Sequence, residues 1–117
     1  MNDNLFPIPR LPHHKLIAFT VARDLLVAVR AADVRDPKLR DEALRSAKSA
    51  CLNCAEGAGR VSRADNARAF TVARGEAVAA AAAVEIALLC GDARPGPAGE
   101  VARLADRLVA LLTGLVR

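Results

Sequence analysis

Tryptophan and tyrosine are missing from the 117 residues, and phenylalanine occurs three times, at Phe6, Phe19 and Phe70. Sheets draw on aromatic and β-branched residues, so this shortage argues against a β-rich fold. No apolar run reaches the roughly 18 uncharged residues that a membrane-spanning helix needs. Cysteine is sparse and odd in number, at Cys51, Cys54 and Cys90, which is not a disulfide framework. The N-terminal stretch MNDNLFPIPR lacks a basic segment followed by an apolar one, so no signal peptide is expected and the expected location is cytoplasmic.

What is present points one way. The chain is 53% apolar, and alanine, valine and leucine dominate that share. Alanine and leucine are the best helix formers, so the expected class is all-α. A chain of this length makes one domain and buries roughly two-thirds of its unfolded surface. The net charge of +4 comes with fourteen arginines against three lysines. Such a balance permits contact with nucleic acid or an acidic partner without requiring it. A GC-rich coding sequence produces the same arginine bias.

Asn4, Pro7 and Pro9 mark residues 1–11 as an extended arm, and residues 12–117 read as a four-helix bundle. Pro12 suits a first helical position, and Leu16, Phe19, Ala22, Leu25, Leu26 and Val29 repeat at helical spacing up to Ala32. Arg23 and Arg30 mark the wet side of that helix. Asp36-Pro37 is an N-cap followed by proline at N1. The helix it starts places Leu39, Ala43, Ala47, Ala50 and Cys54 on one face and stops near Gly57 and Gly59. Ser62 and Asp65 resemble a capping box opening a third helix, with Gly91 as its stop after Cys90. Asp92 to Gly99 reads as a loop. A last helix from about Ala98 to Leu115 carries Val101, Leu104, Leu108, Leu111 and Leu112. Short connections favour antiparallel neighbours in an up-and-down bundle.

The third helix has more apolar surface than one bundle can use. Between Glu76 and Glu85 lie eight uncharged residues, five of them consecutive alanines. A helix apolar all round implies burial on two sides. The second side is expected to meet another copy of the chain, through Ala77, Ala80, Ala81 and Val84.

No arrangement for catalysis is found, and no cofactor, metal or small-molecule substrate is expected. The Cys51/Cys54 pair lies late in a helix, away from the N-terminus that would lower a thiol pKa, and Cys54 shares the apolar face. The pair therefore reads as structural thiols. His13 and His14 are adjacent and point in different directions, which makes them poor joint ligands. Gly57 and Gly59 follow a helix rather than a strand, the wrong setting for a phosphate loop. Two polar features remain. Ser46, Ser49, Asn53, Glu56 and Arg60 form a stripe at helical spacing. That stripe is either a solvated face or a network across helices, with Ser49, Asn53 and Glu56 in it and Asn53 and Glu56 anchoring the next turn. Arg60, Arg63, Arg68 and Arg74 cluster around that turn and are candidate contacts for nucleic-acid phosphates or a partner protein.

The stretch SACLNCAEGAGR over residues 49–60, followed by Ser62, Phe70, Ala73 and Gly75, resembles the signature of a bacterial four-helix-bundle family. That family includes the 23S rRNA intervening-sequence proteins and the accessory variability proteins of diversity-generating retroelements. The likeness spans roughly residues 14–115, with the Asn53-to-Arg60 motif its most specific part. It implies an up-and-down bundle assembled as a homopentameric ring. In the retroelement branch it implies a basic surface that engages reverse transcriptase and nucleic acid. Three positions depart from the family pattern. Cys54 stands where isoleucine is usual, Glu76 where serine follows the glycine, and Ala79 where glutamate is frequent.

Overall fold

In a computed structural model, residues 10–117 are described. The expected arm over residues 1–11 therefore falls largely outside the described residues. Four α-helices follow one another: α1 (Ile17–Ala31), α2 (Pro37–Gly59), α3 (Arg63–Leu89) and α4 (Pro95–Val116), with a 3₁₀ turn over Pro12–Lys15 ahead of α1. No strand occurs among the described residues.

Local chemistry sets most of the boundaries. The Asp36 carboxylate accepts from the Leu39 amide at 2.9 Å, which caps α2, and Ser62 Oγ accepts from the Asp65 amide at 3.1 Å, which caps α3. Both satisfy amides that a helix leaves orphaned in its first turn. Gly91 follows α3 with φ +78°, the left-handed value that ends a helix at little cost to glycine. Asp33 does the same after α1 with φ 48°.

Two ends differ from expectation. The first helix does not run unbroken from Pro12. Leu16 takes extended dihedrals between the 3₁₀ turn and α1, and α1 starts at Ile17. The last helix starts at Pro95, inside the stretch expected as a loop. Pro95 and Pro97 lack only amides that the first helical turn leaves unpaired anyway, so two prolines there open a helix instead of blocking it.

α2 packs against α1 and α3, and α4 packs against α3 and α1, so the helices close a four-cornered bundle. The run is antiparallel. Arg45 near the start of α2 reaches Glu76 well along α3, whereas Gly57 at the end of α2 meets Phe70 near the start of α3. At one end the α1–α2 loop is tied to the α3–α4 loop: the Arg35 amide donates to the Asp92 carbonyl at 2.9 Å and its guanidinium donates to the Gly91 carbonyl. The core is built from Val21, Leu25 and Val29 of α1, Ala43, Ala47, Ala50 and Cys54 of α2, Phe70, Ala73, Ala77, Ala80 and Val84 of α3, and Val101, Leu104, Leu108 and Leu112 of α4. It is small-residue packing, with Phe70 the one ring among its buried members.

Candidate interaction surfaces

The α2–α3 turn is held from α3. Asn66 Nδ2 donates to the carbonyls of Gly57 and of Arg60, the latter at 2.8 Å, so one side chain closes the C-terminal carbonyls of α2. The expected anchors behave differently. Asn53 Nδ2 donates back to the Ser49 carbonyl at 2.9 Å and to Ser49 Oγ at 3.2 Å. Glu56 accepts from Arg60 four residues on. The described hydrogen bonds of Ser49, Asn53 and Glu56 thus stay within α2 and its cap. Ahead of that stripe Arg45 does bond across helices, to Glu76 of α3 at 3.2 Å. Arg45 also donates to Glu42 at 2.7 Å. Glu42 and then Glu76 hold the guanidinium pKa above its ordinary value.

The four clustered arginines divide between two faces. Arg60 and Arg68 line one cleft of about 280 Å³ between α2 and α3, together with Asn53, Glu56, Asp65 and Val72. Arg63 and Arg74 turn the other way, to α4. Arg63 donates to the Arg117 carbonyl oxygen at 3.0 Å, and Arg74 Nε donates to Thr113 Oγ1 at 2.8 Å. The spacing explains the split: Arg63 and Arg74 are eleven residues, three turns, apart, and Arg68 lies well round the helix from both. With two carboxylates among its walls the cleft is mixed in charge, not simply basic.

α3 does present apolar surface on two sides, but not through the residues expected. Ala77 and Ala80 are 0% exposed and Val84 1%, all within the protomer's own core, with Ala81 half-buried against it. In a run that is apolar at every position, nothing in the pattern says which side faces in. The phase is set outside the run, by Phe70 and Ala73. The outward side is Thr71, Gly75, Val78, Ala82, Ile86 and Leu89, spaced three or four apart and all exposed. Val78 is 49% exposed, Ile86 47% and Leu89 78%. Glu85 borders this stripe and Arg68 stands at its N-terminal end.

The other helices look different from outside. α2 shows Asp41, Arg45 and Lys48 to solvent, α4 shows Arg103, Asp106 and Arg107, and α1 shows Asp24 and Arg30. Gly75 adds a second oddity. Glycine inside a helix costs about 0.5–1 kcal/mol relative to alanine, yet a β-carbon there would meet nothing within 4 Å. Gly96, Gly99 and Gly114 within α4 are equally open.

The thiols fit a structural reading. Cys54 is buried, Cys51 half-buried and Cys90 exposed. Burial pushes Cys51 up to about 11 against the opposing pull of Arg23, and burial and then Cys51 push Cys54 up to about 12. Both stay protonated near neutrality, where a thiol is a poor nucleophile and metal ligand. Among the described residues no group of three His, Cys, Asp or Glu side chains converges on a point, and no helix is long and apolar enough to cross a membrane. His13 and His14 are half-buried. The sequence pattern gave no sign of what Asn66 does, since the carbonyls it serves lie six and nine residues back. No protein-family model matches the chain, and no curated protein matches it.

Proposed function

We propose that the chain is a non-enzymatic, self-associating four-helix-bundle protein that binds RNA or DNA through its arginine-bearing end. The outward face of α3 carries this reading. Val78, Ala82, Ile86 and Leu89 form an uncharged stripe along the outer side of α3, and Gly75 leaves room for a neighbouring backbone. A second copy of the chain covers that stripe. The resemblance to ring-forming bundle proteins supports a homopentamer as the closed form.

Arg68 makes no hydrogen bond or ion pair with the described residues and sits at the end of the stripe. Joining copies along α3 therefore repeats Arg68 once per copy around the joint. Repetition raises effective concentration, so a long polyanion gains more from the assembly than from one protomer. Phosphate contacts of this kind release counterions and weaken steeply with salt.

The test is binding to generic single-stranded RNA across a salt series, with an Arg60/Arg68→Ala pair and an Arg63/Arg74→Ala pair compared. The expected result is salt-dependent binding that the first pair weakens more. Absence of binding at low salt overturns the nucleic-acid role.

A second reading rests on one observation: Glu56 and Asp65 share the cleft with Arg60 and Arg68. Mixed charge suits a protein surface better than a phosphate backbone, as for an adaptor that docks a nucleic-acid-processing protein such as a reverse transcriptase. Nuclease-resistant capture of one such partner, lost in Arg68→Glu, would favour it.

A further inference from the structure

A ring with an odd number of copies needs something that α3 alone does not supply. A surface that pairs with itself stops at two copies, so such a ring is built head to tail, each copy offering two different surfaces. The outer stripe of α3 is one of them. Its complement lies elsewhere on the protomer, far enough round for the two neighbours not to collide.

Two grooves outside that stripe hold exposed apolar side chains. The larger, about 670 Å³, runs along α2 past Leu44 and Leu52, and the rest of its lining is polar or charged, Arg45 and Lys48 included. Arg45 is bonded to Glu76 of α3, so this groove lies next to the stripe, and a copy seated in it would crowd a copy on α3. The other groove lies between α1 and α4. Val27, Ala28 and Leu104 line about 440 Å³ of it, together with Asp24, Glu100 and Arg103. Val27 is 53% exposed and extends into a second hollow of about 300 Å³ beside Arg30 and Ala31. Glu100 and Arg103 lie 2.7 Å apart and offset each other's charge.

α1 and α3 stand at opposite corners of the bundle, each packed on α2 and α4. The α1–α4 groove therefore faces away from the outer side of α3, at an obtuse angle to it. Head-to-tail contacts through such a pair of surfaces turn steadily and close, where diametrically opposed surfaces run on as a fibre.

We propose that the α1–α4 groove is the seat for the α3 stripe of the next copy, with Val27 under Val78 and Ala82 of that copy and Arg30 beside its Glu85. The proposal rests on the self-association reading above and supplies the second surface that a closed ring requires.

Register and charge agree with this seating. α1 and α3 both run antiparallel to α2, so they point the same way, and rotation about an axis along the bundle keeps them so between neighbours. Both finish at the same end of the molecule, where the Arg35 amide donates to the Asp92 carbonyl. Glu85 stands four residues before the end of α3 and Arg30 one before the end of α1, which brings the two to nearly one height. Three residues earlier come Ala82 on α3 and Val27 on α1, kept in step by the common rise of about 1.5 Å per residue. Glu85 and Arg30 each lack an ion-pair partner among the described residues. One unpaired carboxylate and one unpaired guanidinium thus meet at every joint.

Sedimentation equilibrium of the full chain and its variants tests the seat. Val27→Glu is expected to bring the mass of the assembly down to the 12.3 kDa of one protomer, with circular dichroism unchanged. Arg30→Glu is expected to lower the mass as well, and Glu85→Arg added to it to restore the assembly. Val27→Glu mixed with Val78→Glu/Ile86→Glu should give a species of twice the 12.3 kDa protomer mass, because one chain keeps its stripe and the other its groove. Val27 and Arg30 variants that keep the natural mass, or a mixture that stays monomeric, overturn the seat and leave self-association through α3 standing. A natural chain that is itself monomeric overturns both.

Discussion

The last turn of α2 and the ring of Phe70 occupy nearly the same space. A β-carbon on Gly57 would fall 2.5 Å from Phe70 Cε1 and 2.7 Å from Cδ1, closer than real β-carbons approach anything. Phe70 is 5% exposed and belongs to the core, so it has nowhere to retreat. Gly57 is thus a contact residue inside α2, not the signal that ends it, and α2 runs on to Gly59.

The two glycines of that turn should respond to alanine with opposite sign. Gly57→Ala forces Phe70 out of position and is expected to destabilise by about 1–3 kcal/mol, the usual result of overpacking. Gly59→Ala meets nothing within 4 Å and is expected to stabilise by a few tenths to about 1 kcal/mol through helix propensity. Thermal unfolding of both variants checks the pair, and Gly57→Ala with Phe70→Leu should recover part of the loss.

Asn66→Ala removes the donor that serves the Gly57 and Arg60 carbonyls. Leaving those carbonyls without their partner is expected to cost about 1–2 kcal/mol. Asn53→Ala breaks bonds that stay within α2 and is expected to cost less. Denaturant unfolding of the two variants, read as a difference in midpoint at unchanged slope, decides the order.

The two sides of α3 should be separable by charge. Ala80 has no exposed surface in the protomer, so Ala80→Glu places an unpaired carboxylate in the core and is expected to unfold the chain. Val78 is about half exposed, and Val78→Glu is expected to change the protomer's own stability by no more than about 0.5 kcal/mol. Circular dichroism of the two variants at low concentration checks the contrast.

Capping chemistry was readable because it is local. Asp36, Ser62 and Gly91 act within three residues of themselves, and each helix end they mark lies where the pattern places it. Pro95 and Pro97 misled because proline both breaks helices and opens them, and only the neighbouring chain decides which. The phase of α3 was illegible for a different reason: five consecutive alanines carry no difference between one side and another, so the inward residues Ala77, Ala80 and Val84 could be taken for outward ones. The arginine group looked like one cluster along the chain, and helical rotation divides it. The work of Asn66 and the constraint on Gly57 arise between helices, where spacing along one strip of sequence says nothing.

The central claim is that α3 meets a second copy of the chain through its outer face. Sedimentation equilibrium at micromolar concentration tests it most directly, on the natural chain and on Val78→Glu/Ile86→Glu. The account predicts a mass several times the 12.3 kDa of one protomer for the natural chain, five times if the ring closes as proposed, and a folded 12.3 kDa species for the variant. A natural chain that sediments as a monomer, or a variant that keeps the assembled mass, contradicts it.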